Sequence, residues 1–289
     1  MPGQPQDPRE VLADLGKLID AMGDYRSVAI LTGGFVPMMY RRMPGFVTPP
    51  MPPLLTSDFD WTVPTRLDVL GGQALAKRLL DSKFVTIPSA GTEPPVLRFQ
   101  PERFGTTTLG PTYVEFLAPL VGADVDRKGN PKTVVRVQRG LTAQALRYLD
   151  LLFVEPMLFD AAALPELGLA QPTNILLPSP ASYVIQKLLA WPSRDAGKRG
   201  KDLAYVHEVA ILTQKRWPEV AATVVRLKQR FSAVWFDRAC DLIERQFESE
   251  AAEGPIAVVR QYRDVPGRVP SERAVWQTIR DFARAIGVG

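Results

Sequence analysis

The sequence predicts an α/β (α+β) protein in which a mixed sheet with flanking helices is followed by a C-terminal helical bundle. The run SVAILTGG is apolar, rich in β-branched residues and ends in two glycines, as expected of a buried strand entering a tight turn. Short strand patterns with few helices between them follow at FVTIP, VLRF, TYVEFLAPL and KTVVRVQ. After about Lys201, helical periodicity dominates in LAYVHEVAILTQ, EVAATVVRLKQRF and AVWFDRACDLIERQF. We therefore expect an α/β domain over residues 1–140 and a mainly helical domain over residues 141–289.

Local signals predict the remaining elements in chain order. Helices are predicted over residues 8–22, 35–42, 72–82 and 271–286, and the first of them shows amphipathic spacing. The prolines at positions 44, 49, 50, 52 and 53 exclude a regular helix or a central strand between the second helix and LLTSDFDWTVP. The period of AQALRYLDLLF predicts another helix, and NILLP predicts a brief strand. Ser179 and Pro180 provide the N-cap and first position of a helix over ASYVIQKLLAW. A loop is predicted over residues 251–270.

The composition is that of a globular protein and restricts the chemistry available. Apolar residues make up 46% and charged residues 23% of the 289 residues, and no apolar run approaches the roughly 20 residues of a membrane span. The N-terminal stretch MPGQPQDPREVL lacks the pattern of a secretory signal, which predicts a cytoplasmic protein without a membrane partner. With one cysteine and one histidine, an intramolecular disulfide and His or Cys metal clusters are excluded, so carboxylates must hold any metal.

Two acidic residues alternate within the strand pattern LLTSDFDWTVP. Side chains two residues apart in a strand share a face, so Asp58 and Asp60 have Cα atoms roughly 6.6 Å apart and carboxylates that can converge on one cation. Two like charges on an apolar strand favour a hard divalent ion, and Mg²⁺ is the expected cofactor. The alternative interpretation is a solvent-exposed start of a strand, where this spacing arises by chance.

A glycine pair and a third acid extend this pattern. Gly33 and Gly34 end a strand and open a helix, so their backbone can approach a phosphate chain; the alternative is that they only form the turn. Glu115 lies within the apolar strand TYVEFLAP, where its alternative role is an outward-facing side chain. Together with Asp58 and Asp60 it would let three acids hold two Mg²⁺ ions roughly 4 Å apart.

The order of the motifs LTGG, SDFD and VEFL resembles the nucleotidyltransferase superfamily typified by DNA polymerase β. The later segments GLTAQALRYLDLLF, ILLPSPASYVIQKLLAWPSR and KRGKDLAYV resemble a prokaryotic branch of minimal nucleotidyltransferases related to abortive-infection-type toxins. The resemblance extends from about Ser27 to Val209. One departure is Tyr205, because related toxins often place a second acid there.

The resemblance implies roles for particular residues. Its metal-binding and nucleotide-binding positions correspond in this sequence to Asp58, Asp60 and Glu115 for the metal, Gly33, Gly34 and Ser57 for the triphosphate, Lys187 for the nucleotide and Asp202 as the acid of a Lys-Asp pair. The activity implied is Mg²⁺-dependent transfer of a nucleoside monophosphate from a nucleoside triphosphate to an RNA or protein hydroxyl. A toxin of a toxin–antitoxin pair is one setting that it implies.

Two other hypotheses fit the same sequence. One is a catalytically silent module that binds a nucleotide or a protein, and the other is a structural interaction protein in which the motifs are coincidental.

Lys187 itself allows two interpretations, a buried lysine paired with Asp202 or a triphosphate, and a lysine whose amine reaches solvent. The nearby basic segment WPSRDAGKRGKDL suits phosphates of a nucleotide or RNA, or is a solvated loop. His207 is expected to be a packed helix residue rather than a general base. The oligomeric state is not predicted.

Overall fold

The computed structural model comprises two compact units. One unit consists of Met1–Phe35 and Leu55–Leu177, and the other of Val36–Leu54 and Pro178–Gly289. The residues that the structure describes are 8–49, 52–54, 56, 58–88, 96–102, 112–123, 125, 129, 132–263, 265, 267 and 269–289.

The first unit contains a mixed β-sheet. Its strands, nine among the described residues, are β1 (Ile30–Leu31), β2 (Asp58–Thr62), β3 (Phe84–Pro88), β4 (Leu97–Pro101), β5 (Tyr113–Pro119), β6 (Val134–Gln138), β7 (Leu141–Leu146), β8 (Met157–Asp160) and β9 (Asn174–Leu177). The main order is β3-β4-β5-β2-β1-β9-β8, and β7 pairs with both β5 and β6. The β2/β5, β1/β9 and β5/β7 pairs are parallel, and the others are antiparallel. The predicted mixed sheet is therefore confirmed.

Within the described part of the first unit, the α-helices beside this sheet are α1 (Pro8–Met22) and α3 (Leu75–Asp81). Leu15, Leu18 and Ile19 of α1 are fully buried, as the amphipathic spacing predicts. The sheet face formed by alternate residues of β2, β4 and β5 is also apolar and buried, with Phe59, Phe99 and Phe116 fully enclosed. Burial of this face leaves the intervening residues of the same strands on the other side of the sheet.

The helix predicted over AQALRYLDLLF is wrong. The structure forms β7 over its first part and a 3-10 turn over Leu149–Phe153. Apolar residues in a short run fit either period, and pairing of β7 with both β5 and β6 decides in favour of the strand. The first compact unit consequently extends past residue 140 to Leu177, because β7, β8 and β9 pair within its sheet.

Helices dominate the second unit. They are α4 (Pro180–Ala190), α5 (Ala196–Leu212), α6 (Trp217–Arg230), α7 (Ala233–Gln246), α8 (Glu253–Tyr262) and α9 (Glu272–Ile286), and the short α2 (Phe35–Tyr40) begins at its boundary. Ser179 caps α4 by accepting a hydrogen bond from the Ser182 backbone amide, with Pro180 at the first position, as predicted. The loop predicted over residues 251–270 is wrong for α8, which buries Val258, Val259 and Tyr262. None of the helices within the described ranges is both long and apolar enough to cross a membrane.

Candidate active site

The three predicted acids lie on one face of the sheet in the first unit. Strands β2 and β5 pair in parallel, with Asp60 opposite Glu115 and Asp58 opposite Tyr113. Residues opposite each other in neighbouring strands present their side chains to the same face. Asp58, Asp60 and Glu115 are all half-buried, whereas Phe59 between the two aspartates is fully buried on the other face. The structure thus brings the acids together on a face of intermediate exposure, which we call the acid face.

The glycine turn lies directly against Asp60. The Thr32 amide donates a hydrogen bond of 2.8 Å to the Asp60 carbonyl oxygen, and the Thr32 hydroxyl donates to the same oxygen over 3.2 Å. Gly33 has a φ of 68°, and a Cβ atom added to it would collide with the Asp60 carboxylate. Both observations require glycine at position 33. Gly34 is buried and precedes α2, while the predicted phosphate neighbour Ser57 lies outside the described residues.

Arg98 is a charged member of the acid face that the sequence patterns do not single out. It lies opposite Glu115 in the antiparallel β4/β5 pair, and its Nε donates to Glu115 Oε1 in an ion pair. Its guanidinium carbon also lies 4.5 Å from the centroid of the Tyr113 ring. The arginine occurs within the strand pattern VLRF, but its pairing depends on strand order, which that pattern does not determine.

Tyr113 completes the acid face. Its burial, followed by the negative charges of Asp58 and Glu115, raises the pKa of the phenol well above the usual range. A hydrogen bond between its hydroxyl and Asp58 acts in the same direction, as expected when the phenol donates to a carboxylate. Tyr113 therefore remains protonated at neutral pH and acts as a hydrogen-bond donor.

The carboxylate oxygens on the acid face are of the type that binds a divalent ion, but the three acids are not arranged as a metal site. Carboxylate oxygens are the ligands that Mg²⁺ prefers. Within the part of the chain that the structure describes, no group of three or more His, Cys, Asp or Glu side chains is arranged to hold a metal ion. Glu115 is instead paired with Arg98, and Asp58 is hydrogen-bonded with Tyr113. Metal binding by Asp58, Asp60 and Glu115 remains a prediction.

The other two predicted residues, Lys187 and Asp202, form a buried ion pair in the second unit. Lys187 Nζ lies 2.7 Å from Asp202 Oδ1, and Arg194 Nε donates to the other carboxylate oxygen over 2.9 Å. Burial acts to raise the pKa of Asp202, but the charges of Lys187 and Arg194 outweigh it and lower the pKa. Lys187 is only 5% exposed and its ammonium lies near the rings of Tyr183 and Tyr205, so it is a buried lysine paired with Asp202.

The basic segment after α4 is only partly available to a ligand. Arg194 is committed to Asp202, and Arg199 donates to the carbonyl oxygens of Arg194 and Pro192. Lys198 is exposed at the start of α5. Two of the arginines thus hold the turn between α4 and α5 together, and the segment combines a structural role with exposed charge.

A second buried ion pair in the same unit was not predicted. Arg41 donates through Nε to Glu208 Oε1 over 2.7 Å, and Glu208 is fully buried. Burial raises the pKa of Glu208, although the Arg41 charge and hydrogen bond act to lower it. The neighbouring His207 is 1% exposed, and burial lowers its pKa to about 4. His207 is therefore a neutral, packed side chain at physiological pH.

We expect protonation of His207 to make the protein less stable in acid. Because its pKa is about 4 when folded and about 6.5 when unfolded, the unfolded chain binds the proton first as the pH falls below 6.5. His207 should therefore reduce the free energy of unfolding by about 2 kcal/mol at pH 5 relative to pH 7.5. Denaturant unfolding of the wild type and His207→Phe at both pH values measures this, since Glu208 contributes equally to both proteins. Identical pH dependence in the two proteins would contradict it.

Comparison with known proteins identifies the family to which this chain belongs. The sequence profile of a family described as nucleotidyltransferase matches residues 11–228. Comparison with curated proteins gives no significant match. The matching solved structures include an antigenic nucleotidyltransferase-like protein from Paracoccidioides brasiliensis, with 14% sequence identity and a TM-score of 0.37, covering 76% of this chain and 88% of that one.

Proposed function

Because this chain belongs to the nucleotidyltransferase family, we propose that it transfers a nucleoside monophosphate from a nucleoside triphosphate to a hydroxyl group of RNA or protein, with Mg²⁺ as cofactor. The observation that carries this proposal is the placement of Asp58, Asp60 and Glu115 on one face of the parallel β2/β5 pair, beside the Gly33 turn. Carboxylate oxygens on one face suit a hard divalent cation, and nucleotidyl transfer uses one.

In the proposed reaction the acceptor oxygen attacks the α-phosphorus in line with the leaving group. The acceptor O–H bond and the bond from phosphorus to pyrophosphate break, and a bond forms between the acceptor oxygen and phosphorus. The proton passes to solvent as pyrophosphate leaves. Asp58 and Asp60 would hold the cation, since both project from one strand to one face. When bound, Mg²⁺ supplies positive charge that activates the acceptor hydroxyl and stabilises the departing pyrophosphate.

The turn at Gly33 supports a role in holding the triphosphate. Its backbone lies against the Asp60 carboxylate without an intervening side chain. A phosphate chain held near Asp60 would therefore meet the backbone of Gly33 and Gly34 before it met any side chain of the turn. We assign Ser57 to the same phosphates on the resemblance to the family.

Lys187 and Asp202 have an observed structural role and a proposed functional one. Their ion pair links α4 and α5 within the second unit, and Arg194 pairs with the other oxygen of Asp202. We propose that Lys187 also neutralises negative charge on the nucleotide, as the family resemblance implies. Its burial means that Asp202 and the flanking tyrosines hold the ammonium in one position.

A catalytically silent module is the second candidate, and a specific observation favours it. Glu115 already has a cation in Arg98, and Asp58 already has a hydrogen-bond donor in Tyr113. In a silent module these contacts would persist and the acid face would hold no metal.

A toxin of a toxin–antitoxin pair acting in the cytoplasm remains the proposed setting for an active enzyme.

The position of the label distinguishes transfer from other phosphate chemistry. The purified protein is incubated with Mg²⁺ and total cellular RNA and protein, with each triphosphate labelled on its α-phosphate or, in a matched reaction, on its γ-phosphate. We expect covalent incorporation of the α label alone, abolished by a chelator of divalent ions. Loss of the product on ribonuclease or on protease treatment identifies the acceptor. Absence of incorporation from all triphosphates would overturn the proposal, and γ-label incorporation would indicate a kinase instead.

A further inference from the structure

Arg98 gives the acid face an internal positive charge, and we infer that it is a positioning residue that holds Glu115 and competes with a divalent cation for its carboxylate. The inference rests on the proposed function, because it concerns how the same acids bind metal. Strand β4 carries none of the predicted site residues, yet through Arg98 it takes part in determining the metal affinity.

The register of the sheet places Arg98 where this competition requires it. Strand β4 pairs with β5 so that Arg98 lies opposite Glu115, while on the other side of β5 Asp60 lies opposite Glu115. The three side chains therefore form one row across β4, β5 and β2, on one face of the sheet. Arginine and aspartate are the two nearest cross-strand neighbours of Glu115.

The contacts of Arg98 restrict the positions that its guanidinium group can occupy. Its Nε is bound to Glu115, whose side chain is 15% exposed, and its guanidinium lies over the Tyr113 ring. The side chain of Arg98 is 35% exposed, so it is more open to solvent than Glu115. If one partner moves when a metal binds, it is the arginine that can leave while the carboxylate stays on the face.

Tyr113 couples this ion pair to the aspartates. It supports the guanidinium with its ring and is hydrogen-bonded with Asp58 through its hydroxyl. Tyr113 thus contacts both Asp58 and Arg98, the partner of Glu115. A divalent cation on the acid face would either bind only through Asp58 and Asp60 or displace Arg98 to gain Glu115. In both cases the arginine charge opposes the cation.

Removal of this charge should therefore strengthen metal binding. Mn²⁺ serves as the probe, and its dissociation constant is measured by isothermal titration calorimetry on the full chain at fixed ionic strength. We expect Arg98→Met, which keeps a long side chain without the charge, to bind Mn²⁺ about tenfold more tightly than the wild type. Arg98→Lys keeps the charge and should remain close to the wild type. Arg136→Met is the matched control, because it removes the same charge from an exposed position on β6.

The outcomes separate the inference from the proposed function. Tighter binding by Arg98→Met but not by Arg136→Met or Arg98→Lys supports the inference. Equal Mn²⁺ affinity in the wild type and Arg98→Met, with weakened binding in Asp60→Asn, overturns the inference and leaves the metal site intact. Absence of Mn²⁺ binding by both the wild type and Arg98→Met overturns both. Thermal melting without metal checks that each variant folds, and Arg98→Gln replaces Arg98→Met if the latter does not.

Discussion

Replacing Asp60 with asparagine should lower the rate of nucleotidyl transfer by about a hundredfold to a thousandfold, the range found when one charge-stabilising group is removed from an active site. Asp60 lies opposite Glu115, and the Gly33 turn lies against its carboxylate. Asparagine has nearly the same shape, so the fit against Gly33 is kept and the negative charge alone is lost. The measurement is the initial rate of α-label incorporation under saturating Mg²⁺.

Asp81→Asn is the matched control for this change. Asp81 lies in the same unit at the end of α3, its side chain is 53% exposed, and it pairs with Lys77 on the same helix. The same chemical replacement there should leave the transfer rate unchanged, because the residue lies on an exposed helix surface. Retention of more than a tenth of the wild-type rate by Asp60→Asn, with an intact fold, would contradict a role for this carboxylate in catalysis.

Replacing Arg41 with methionine should lower the free energy of unfolding by about 3–5 kcal/mol, the cost of leaving one partner of a buried ion pair alone. Glu208 is fully buried and Arg41 is its cationic partner, with both Nε and Nη2 close to Oε1. Burial already raises the pKa of Glu208, so loss of the arginine charge raises it further and leaves a buried carboxyl group that is costly to ionise. Urea unfolding at neutral pH, followed by helical circular dichroism, measures the loss.

The double variant Arg41→Met with Glu208→Leu tests the cause. When both charges are removed no buried charge remains, so much of the lost stability should return. Arg284→Met is the control within the same unit. Its ion pair with Asp281 has side chains that are 71% and 47% exposed, and exposed pairs contribute about 0–1 kcal/mol. A loss below about 1 kcal/mol in Arg41→Met would show that the pair is not an essential buried contact.

The correct predictions from sequence are those that depend on neighbouring residues. Alternation predicts that Asp58 and Asp60 share a face, and the structure places them on β2 in that way. The N-cap at Ser179 was predicted from its position before Pro180, and the structure has the hydrogen bond that defines it. In each instance the signal and its structural consequence lie within a few residues of one another, so no knowledge of the fold is needed.

The errors and omissions involve partners distant in sequence. The helical period of AQALRYLDLLF was overridden by pairing of β7 with β5 and β6, and α8 formed where residues 251–270 predicted a loop. The Arg41–Glu208 pair joins residues 167 positions apart. An isolated charged residue in a sequence carries no sign of its partner, so neither this pair nor Arg98–Glu115 was predictable from local pattern.

The sequence by itself determined which residues of β2 and of β5 share a side, where the glycine turn falls, and that carboxylates must serve any metal. Strand order and register were decided only by the tertiary structure. The parallel pairing of β2 with β5 places Asp60 beside Glu115, and the antiparallel pairing of β4 places Arg98 on the other side of it. The physical reason is that alternation is a property of one backbone segment, whereas register depends on how distant segments bury their apolar faces together.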